Sequence, residues 1–562
     1  MSDKSFQKNI ANLFSNKKYD EIISVIDETY RFKKKPPGLS NLSGICKILK
    51  QNSNQYEIIS ALNDFEECYH NSTIVGQKVE VVCNYITTCI KYSEKFLIVL
   101  DYLEKARVLF EDFEKKNGYE EKLFLHAADL YQSLLNHNKL GKILNILIKN
   151  KTKSKIIACS YAFTKNYTDI WKSKDYYDYS VEFKKLFPIY KSKKINEINY
   201  SKNKKIRIGF VGKDLTVNHS ITYFLKNTLK YIDKSKFELY GFSLESDKFL
   251  EASSFELKDN FHRWFDLSGS NNQDVINKVQ DERIEILFDV MGLTHADRIE
   301  IFNTRISPVQ ISWLAFNNIV GFSTIDYLIA DRHLIKEEEK IFYPKVINLP
   351  KIWSCHSGFN FKREYSEAPF KQNKYVTFGS LNNFLKISDD VIKVWSNILN
   401  SVHNSKLILK SSLNYNKRLI LDKFKPYGVE NAIEIYDRNI NLEEHLKLYK
   451  KIDIGLDTFP YNGVTTTFEA LWSGIPVIVM KGFNMNSRTG ESILMNGNIA
   501  DFLALNHEDY LNKAIFYSNN LDRLDQVRND IFNNVLKTSL FNSENFSNDI
   551  KNSLLNIYNR DN

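Results

Sequence analysis

The 562-residue sequence predicts an α/β protein in which an all-helical region precedes two Rossmann-like units that face one cleft. Three observations carry that expectation. Helical periodicity dominates up to about residue 190, short β-branched runs then alternate with helical segments, and the alternation starts afresh near residue 375. In the helical region, "KYDEIISVIDETY", "YSEKFLIVLDYLEKARVLFEDF" and "HAADLYQSLLNHNKLGKILNILIKN" place apolar residues at i, i+3, i+4 and i+7, one face of an amphipathic helix. Short Asn, Lys and Gly breaks between them predict stacked helical hairpins. "LSNLSGICKIL" resembles the centre of a tetratricopeptide repeat, at irregular intervals, so degenerate TPR-like repeats are expected. Such a stack offers a concave surface for protein acceptors, or simply supports the rest of the chain.

Beyond a Lys-rich linker, "IRIGFVGKDL", "FELYGFSL", "IEILFDVMG", "VQISWLAF" and "DYLIAD" read as strands, several of them separated by helical segments. A second set follows at "YVTFGSL", "SKLILK", "NAIEIYD", "IDIGLDTF" and "IPVIVM". Strand–helix alternation of this kind builds parallel sheets with helical cover. The expected domains are 1–195 (helical), 205–360 (first Rossmann-like half, acceptor side), 361–535 (second half, donor side) and 536–562 (closing helix).

Composition excludes several classes. Apolar residues make up 43% of the chain and aromatics 13%, which is globular rather than disordered. The net charge of +9, from 77 basic and 68 acidic residues, is spread along the whole chain and lacks a glycine-aromatic RNA-reading signature, so no nucleic-acid partner is expected. Six Cys at 46, 68, 83, 89, 159 and 355 form no CxxC pair, which predicts reduced buried thiols rather than disulfides or a zinc site. No window approaches the ~18 apolar residues of a membrane span, and the first residues lack a signal-peptide core, so a cytoplasmic location is expected.

The stretch "FPYNGVTTTFEALWSGIPVIV", residues 459–479, is the chemically telling one. A strand ends in a turn, and a helix opens near Gly463 with Thr465, Thr466 and Thr467 in its first turn. Unpaired first-turn N–H groups and the positive end of the helix dipole make an anion site, to which threonine hydroxyls add donors. Gly463 would let an oxygen-rich ligand approach the backbone. Glu469, one turn on, is expected to face the same cleft, where a carboxylate binds sugar hydroxyls such as those of a ribose. The same residues also fit ordinary threonine capping of a core helix.

"LDTFPYNGVTTTFEALWSGIPVIVM", with Ser487 and Arg488 behind it, closely resembles the donor-site signature of the O-GlcNAc transferase and SPINDLY family. "IRIGFVGKDLTVNHSITYFL", "EILFDVMGLTHADRIEIFNTRISPVQISWL", "VTFGSLNNFLKISDDVIKVWSNILNSVHNSKLILK" and "EEHLKLYKKIDIGLD" resemble further family segments, in the family's order, over roughly residues 205–555. The resemblance implies a GT-B glycosyltransferase, similar to family GT41, that binds its nucleotide sugar chiefly through the second half. It implies that Lys386 contacts the donor diphosphate, with Asn383 beside it. His445 would lie near the nucleobase or ribose, Thr465–Thr467 would hold phosphates and Glu469 the ribose. His219 would be the N-terminal active-site histidine and a candidate to accept the acceptor's proton. No metal and no cofactor beyond the nucleotide sugar is implied. UDP-GlcNAc is the default donor, GDP-fucose the SPINDLY-type alternative, and a non-catalytic helical scaffold the reading from another class. This chain departs from the family pattern at 315–321, where "AFNNIVG" replaces a Gly- and Pro-rich turn, and in the spacing of Asp214 to His219, which is one residue longer.

Overall fold

The computed structural model describes residues 3–168, 171–200, 204–215, 220–246, 257–314, 324–411, 414–437 and 441–561. His219 and the 315–321 loop, both singled out above, lie outside the described residues. The chain divides into two compact units, Met1–Thr152 with Ser412–Ile420, and Lys153–Ser411 with Leu421–Asn562.

The first unit is helical, running from Asp3–Ser15 to His137–Lys149. Asn54 and Asn136 cap two of its helices. Asn54 accepts from the Glu57 N–H at 3.0 Å while the Glu57 carboxylate accepts from the Asn54 N–H at 3.0 Å, a complete capping box ahead of Gln55–Asn71. Gly44, in the repeat-like segment, lies against Phe65; a Cβ there would stand 2.5 Å from the Phe65 ring. The missing side chain is what lets helix Pro37–Leu49 approach its neighbour so closely.

The second unit holds two parallel sheets. Strands β1 (Ile206–Gly212), β2 (Phe237–Ser243), β3 (Arg263–Asp266), β4 (Ile286–Asp289), β5 (Val309–Ser312), β6 (Tyr327–Asp331) and β7 (Lys345–Leu349) form one, in the order β3-β2-β1-β4-β5-β6-β7. Strands β8 (Thr377–Ser380), β9 (Lys406–Ser411), β10 (Ile433–Asp437), β11 (Ile454–Leu456), β12 (Val477–Met480) and β13 (Leu503–Ala504) form the other, in the order β10-β9-β8-β11-β12-β13. Strands such as β4, β5, β8 and β12 are buried throughout, as expected of a parallel sheet covered on both faces. Strands β3, β7 and β13 were not among the expected runs. They are two to five residues long, and pairing with a neighbour, not their own hydrophobic pattern, makes them strands.

Both sheets reverse direction of growth at their centre, between β1 and β4 and between β8 and β11. Chain leaving neighbouring strands there departs to opposite faces, so a crevice opens at their carboxyl ends, where open α/β sheets bind ligands. The C-terminal helix Ser543–Asp561 returns to the first sheet: Ser547 Oγ donates to Thr228 O at 2.9 Å, Phe546 stacks on Trp313 at 6.0 Å, and Tyr558 OH donates to Glu285 at 2.8 Å.

Candidate functional site

The two crevices open on one cavity of about 320 Å³. Asp214, Met291 and Thr294, which follow β1 and β4, line one wall; Asn382, Asn383, Lys386, Thr465 and Thr466, which follow β8 and β11, line the other.

Lys386 ends a 3₁₀ turn, Phe384–Lys386, that Asn383 caps by accepting from the Leu385 N–H at 3.0 Å. Ser388 then caps helix Asp389–Ser401 and donates to Phe459 O at 3.2 Å, which ties this turn to the loop after β11. The half-buried Lys386 ammonium donates to Asn462 O at 2.7 Å and lies 4.0 Å from the Tyr461 ring centroid, a cation–π contact. Burial lowers its pKa below the usual lysine value, against the pull of Asp457.

Helix Thr465–Trp472 begins after Val464 with no side-chain cap; the Thr467 N–H turns back to Val464 O at 3.0 Å, which leaves the N–H groups of Thr465 and Thr466 at the cavity wall as the available donors. Thr465 and Thr466 reach the cavity wall, while Thr467 is buried beneath. Gly463 turns its N–H inward, to Asp457 Oδ1 at 2.7 Å. A Cβ at Gly463 would stand 2.5 Å from Thr466 Oγ1 and 2.9 Å from both Asp457 Oδ1 and Thr467 Oγ1. The glycine thus makes room for the cradle's own side chains, a different use from the close ligand approach expected of it.

His445 and Glu469 meet directly. His445 Nε2 lies 2.9 Å from Glu469 Oε2, and Tyr449 OH donates to the same oxygen at 2.9 Å. Lys410 Nζ stands 2.7 Å from His445 Nδ1. An ammonium can only donate, so Nδ1 accepts and the hydrogen that faces Glu469 sits on Nε2. Burial raises the Glu469 pKa, but its partners His445 and Tyr449 outweigh that and leave the carboxyl below its usual value. Glu469, expected to face the cleft, is 5% exposed and not among the residues that line the cavity; with His445 and Tyr449 it cross-braces helices Leu442–Tyr449 and Thr465–Trp472 beside the threonine-lined helix start.

Some contributors escaped the sequence reading. Asn382, not its neighbour Asn383, bonds across the site: its Nδ2 donates to Asp457 Oδ1 at 3.2 Å and its Oδ1 accepts from Thr466 Oγ1 at 3.0 Å. On the opposite wall His295 Nε2 lies 3.0 Å from Asp214 Oδ1, a carboxylate–imidazole pair beside buried Asp289, whose carboxyl burial pushes up to about 6. Phe163, from helix Lys155–Thr168, also lines the cavity, 6.0 Å edge-on to Tyr461. Three consecutive threonines advertise a site in the sequence, whereas single Asn, Asp and Phe residues carry no signal until the fold gathers them. Arg488, part of the donor-signature resemblance, points elsewhere. It forks onto Glu339, at 2.5 and 3.0 Å, and onto Leu334 O at 2.9 Å, joining the two halves.

Two parallel sheets that present their switch points to one cavity define the GT-B class of α/β proteins. The model of glycosyl transferase family 41 matches residues 183–352 and 366–550, and the chain belongs to that family. It is 27% identical over 389 residues, 68% of this chain and 41% of the relative, to the tomato (Solanum lycopersicum) protein named probable UDP-N-acetylglucosamine–peptide N-acetylglucosaminyltransferase SPINDLY. It is 28% identical over 318 residues, 55% of this chain and 35% of the relative, to the protein of the same name from Eustoma exaltatum. The chain therefore spans about two fifths of the length of these curated relatives. A mutant of the O-GlcNAc transferase of Thermobaculum terrenum has the same fold, with a TM-score of 0.72 over 94% of this chain and 99% of that one at 18% identity.

Proposed function

We propose that this chain transfers a sugar from a nucleotide donor, UDP-GlcNAc by default, to serine or threonine hydroxyls of protein acceptors, with inversion and without a metal. One observation carries the reading: Lys386 and the threonine-lined helix start open together on the cavity at the switch point of the second sheet. In this role the Lys386 ammonium, the amides of Thr465 and Thr466 and the Thr465 hydroxyl receive the diphosphate, stabilising the charge that grows on it as the sugar departs, while Thr466, bonded to Asn382, and buried Thr467 support the helix start from behind. The braced His445–Glu469 pair holds the nucleoside, with Asn383 at the rim. The first half then supplies the proton acceptor for the incoming hydroxyl, for which His219 is the candidate. The helical region is the proposed docking surface for the acceptor protein.

Thermal-shift measurements with UDP, GDP and their sugars test this reading. We expect one nucleotide to raise the unfolding temperature and so to name the base; GDP would select the fucose-type donor. No shift with any of them, together with no turnover of a donor panel, would make the chain a scaffold. Because Lys386 serves as the leaving-group cation, transfer should persist in excess EDTA, measured as radiolabelled sugar incorporated into acceptor. Strict dependence on added Mn²⁺ would overturn that assignment.

A further inference from the structure

The cradle contains a charged group that the function above leaves unused. Asp457 follows β11 directly and is 1% exposed. Its Oδ1 accepts three hydrogen bonds, from the N–H groups of Gly463 at 2.7 Å and Thr458 at 2.9 Å and from Asn382 Nδ2 at 3.2 Å. Its Oδ2 is buried without a hydrogen-bond partner. Gly490 closes the far side: a Cβ there would lie 3.1 Å from Oδ2, and its N–H donates to Asn462 Oδ1 at 3.2 Å.

One peptide unit links this carboxylate to Lys386. The carbonyl of Asn462 accepts from Lys386 Nζ at 2.7 Å, and the N–H of the same peptide, belonging to Gly463, donates to Asp457 Oδ1 at 2.7 Å. The peptide dipole therefore lies with its oxygen toward the cation and its hydrogen toward the anion, an arrangement that strengthens both bonds. Through Asn382 the same carboxylate reaches the Thr466 hydroxyl. An asparagine at 457 would supply the oxygen acceptor that the loop needs. What only an aspartate adds is negative charge, and an unpaired buried charge is costly.

We propose that Asp457 is a positioning residue of the donor site, acting through the Asn462–Gly463 peptide to hold the charged Lys386 ammonium against the donor's diphosphate. The inference rests on the reading of the cavity as a nucleotide-sugar site. Burial pulls the lysine pKa down and the aspartate up, and each charge opposes the other's shift. Tyr461, whose hydroxyl burial pushes up to about 12, sets its ring against the Lys386 ammonium, and further ionisable groups around the pair are bonded elsewhere. Tyr449 and Tyr510, pushed well above their usual value by burial, bond to Glu469 and to Asp457 O. Glu469 is paired with His445, and Asp453, at the base of the strand, takes the N–H groups of Thr377 and Phe370. Removing the Asp457 charge therefore leaves Lys386 to lose its proton at lower pH.

The test is calorimetric titration of the full chain with UDP and GDP between pH 7 and 9.5, for wild type, Asp457→Asn and Asp457→Asn combined with Lys386→Arg. We expect the Asp457→Asn protein to bind its nucleotide about tenfold more weakly than wild type at the alkaline end, a shift of about one pH unit in the limb, with little difference at pH 7. A guanidinium stays charged throughout, so the double variant should lose the alkaline decline. Superimposable pH profiles for wild type and Asp457→Asn, with only a lower unfolding temperature for the variant, would reduce Asp457 to a structural role and overturn the inference. Failure of the wild type itself to bind either nucleotide would overturn the reading beneath it as well. A measurement on wild type alone guards against a variant that does not fold: the ¹³Cε signal of Lys386 should titrate in two coupled steps. A single step at the ordinary lysine position would also overturn the proposal.

Discussion

Lys386→Ala is expected to lower sugar transfer by about 10²–10³-fold or more, the usual consequence of deleting one donor from a charge-stabilising site. The loss should appear in kcat, because the ammonium matters most as negative charge accumulates on the leaving diphosphate. Stability should fall modestly, because Asp457 loses its compensating cation but retains its hydrogen-bond donors. The side chain is half-buried, its ammonium makes one hydrogen bond to a loop carbonyl, and Asp457 keeps its three N–H partners when the lysine is gone. The pH dependence has a definite sign. A cation with a lowered pKa is present at low pH and lost as pH rises through that value, so activity should decline on the alkaline side well before the ordinary lysine value of 10.5. Steady-state kinetics across pH, with unfolding followed in parallel, checks both points. Full transfer by a strongly destabilised variant would contradict the assignment.

The largest stability effect is expected at Arg488. Arg488 is 5% exposed and forks onto half-buried Glu339, which keeps the Lys336 N–H when the arginine is removed, so Arg488→Ala should cost about 1–3 kcal/mol. Urea unfolding followed by tryptophan fluorescence should show the midpoint displaced accordingly; an unchanged midpoint would mean that the fork contributes nothing. Burial raises the Glu339 pKa, but the hydrogen bonds and charge of Arg488 more than compensate, and the carboxyl lies below its ordinary value of 4.5. A depressed carboxylate contributes stability above its unfolded-state pKa and loses it as pH falls through the folded one. The gap between wild type and variant should therefore narrow below pH 4.5. The arginine belongs to the stretch that resembles a donor signature, yet in the fold it fastens the second half to residues after β6.

The sequence determined the layered plan. Period-3.6 stripes in the first 150 residues became helices, and the buried β-branched runs such as "IEILFDV" and "IPVIVM" became central strands, because local pattern and solvent exclusion demand the same backbone there. It also drew attention to the helix start at Gly463 and its three contiguous threonines, of which Thr465 and Thr466 reach the cavity wall. Tertiary structure decided the rest. Edge strands β3 and β13 exist only because a neighbour offers hydrogen bonds. Asp457, Asn382 and Lys386 become one unit only when β8 and β11 lie side by side, although 75 residues separate the first two. Phe163 reaches the cavity from a helix almost 300 residues before Tyr461. The physical reason is common to all three: short-range pattern is set by contacts along one segment, whereas a charged pair in low dielectric is set by groups from distant segments, and no local periodicity records them.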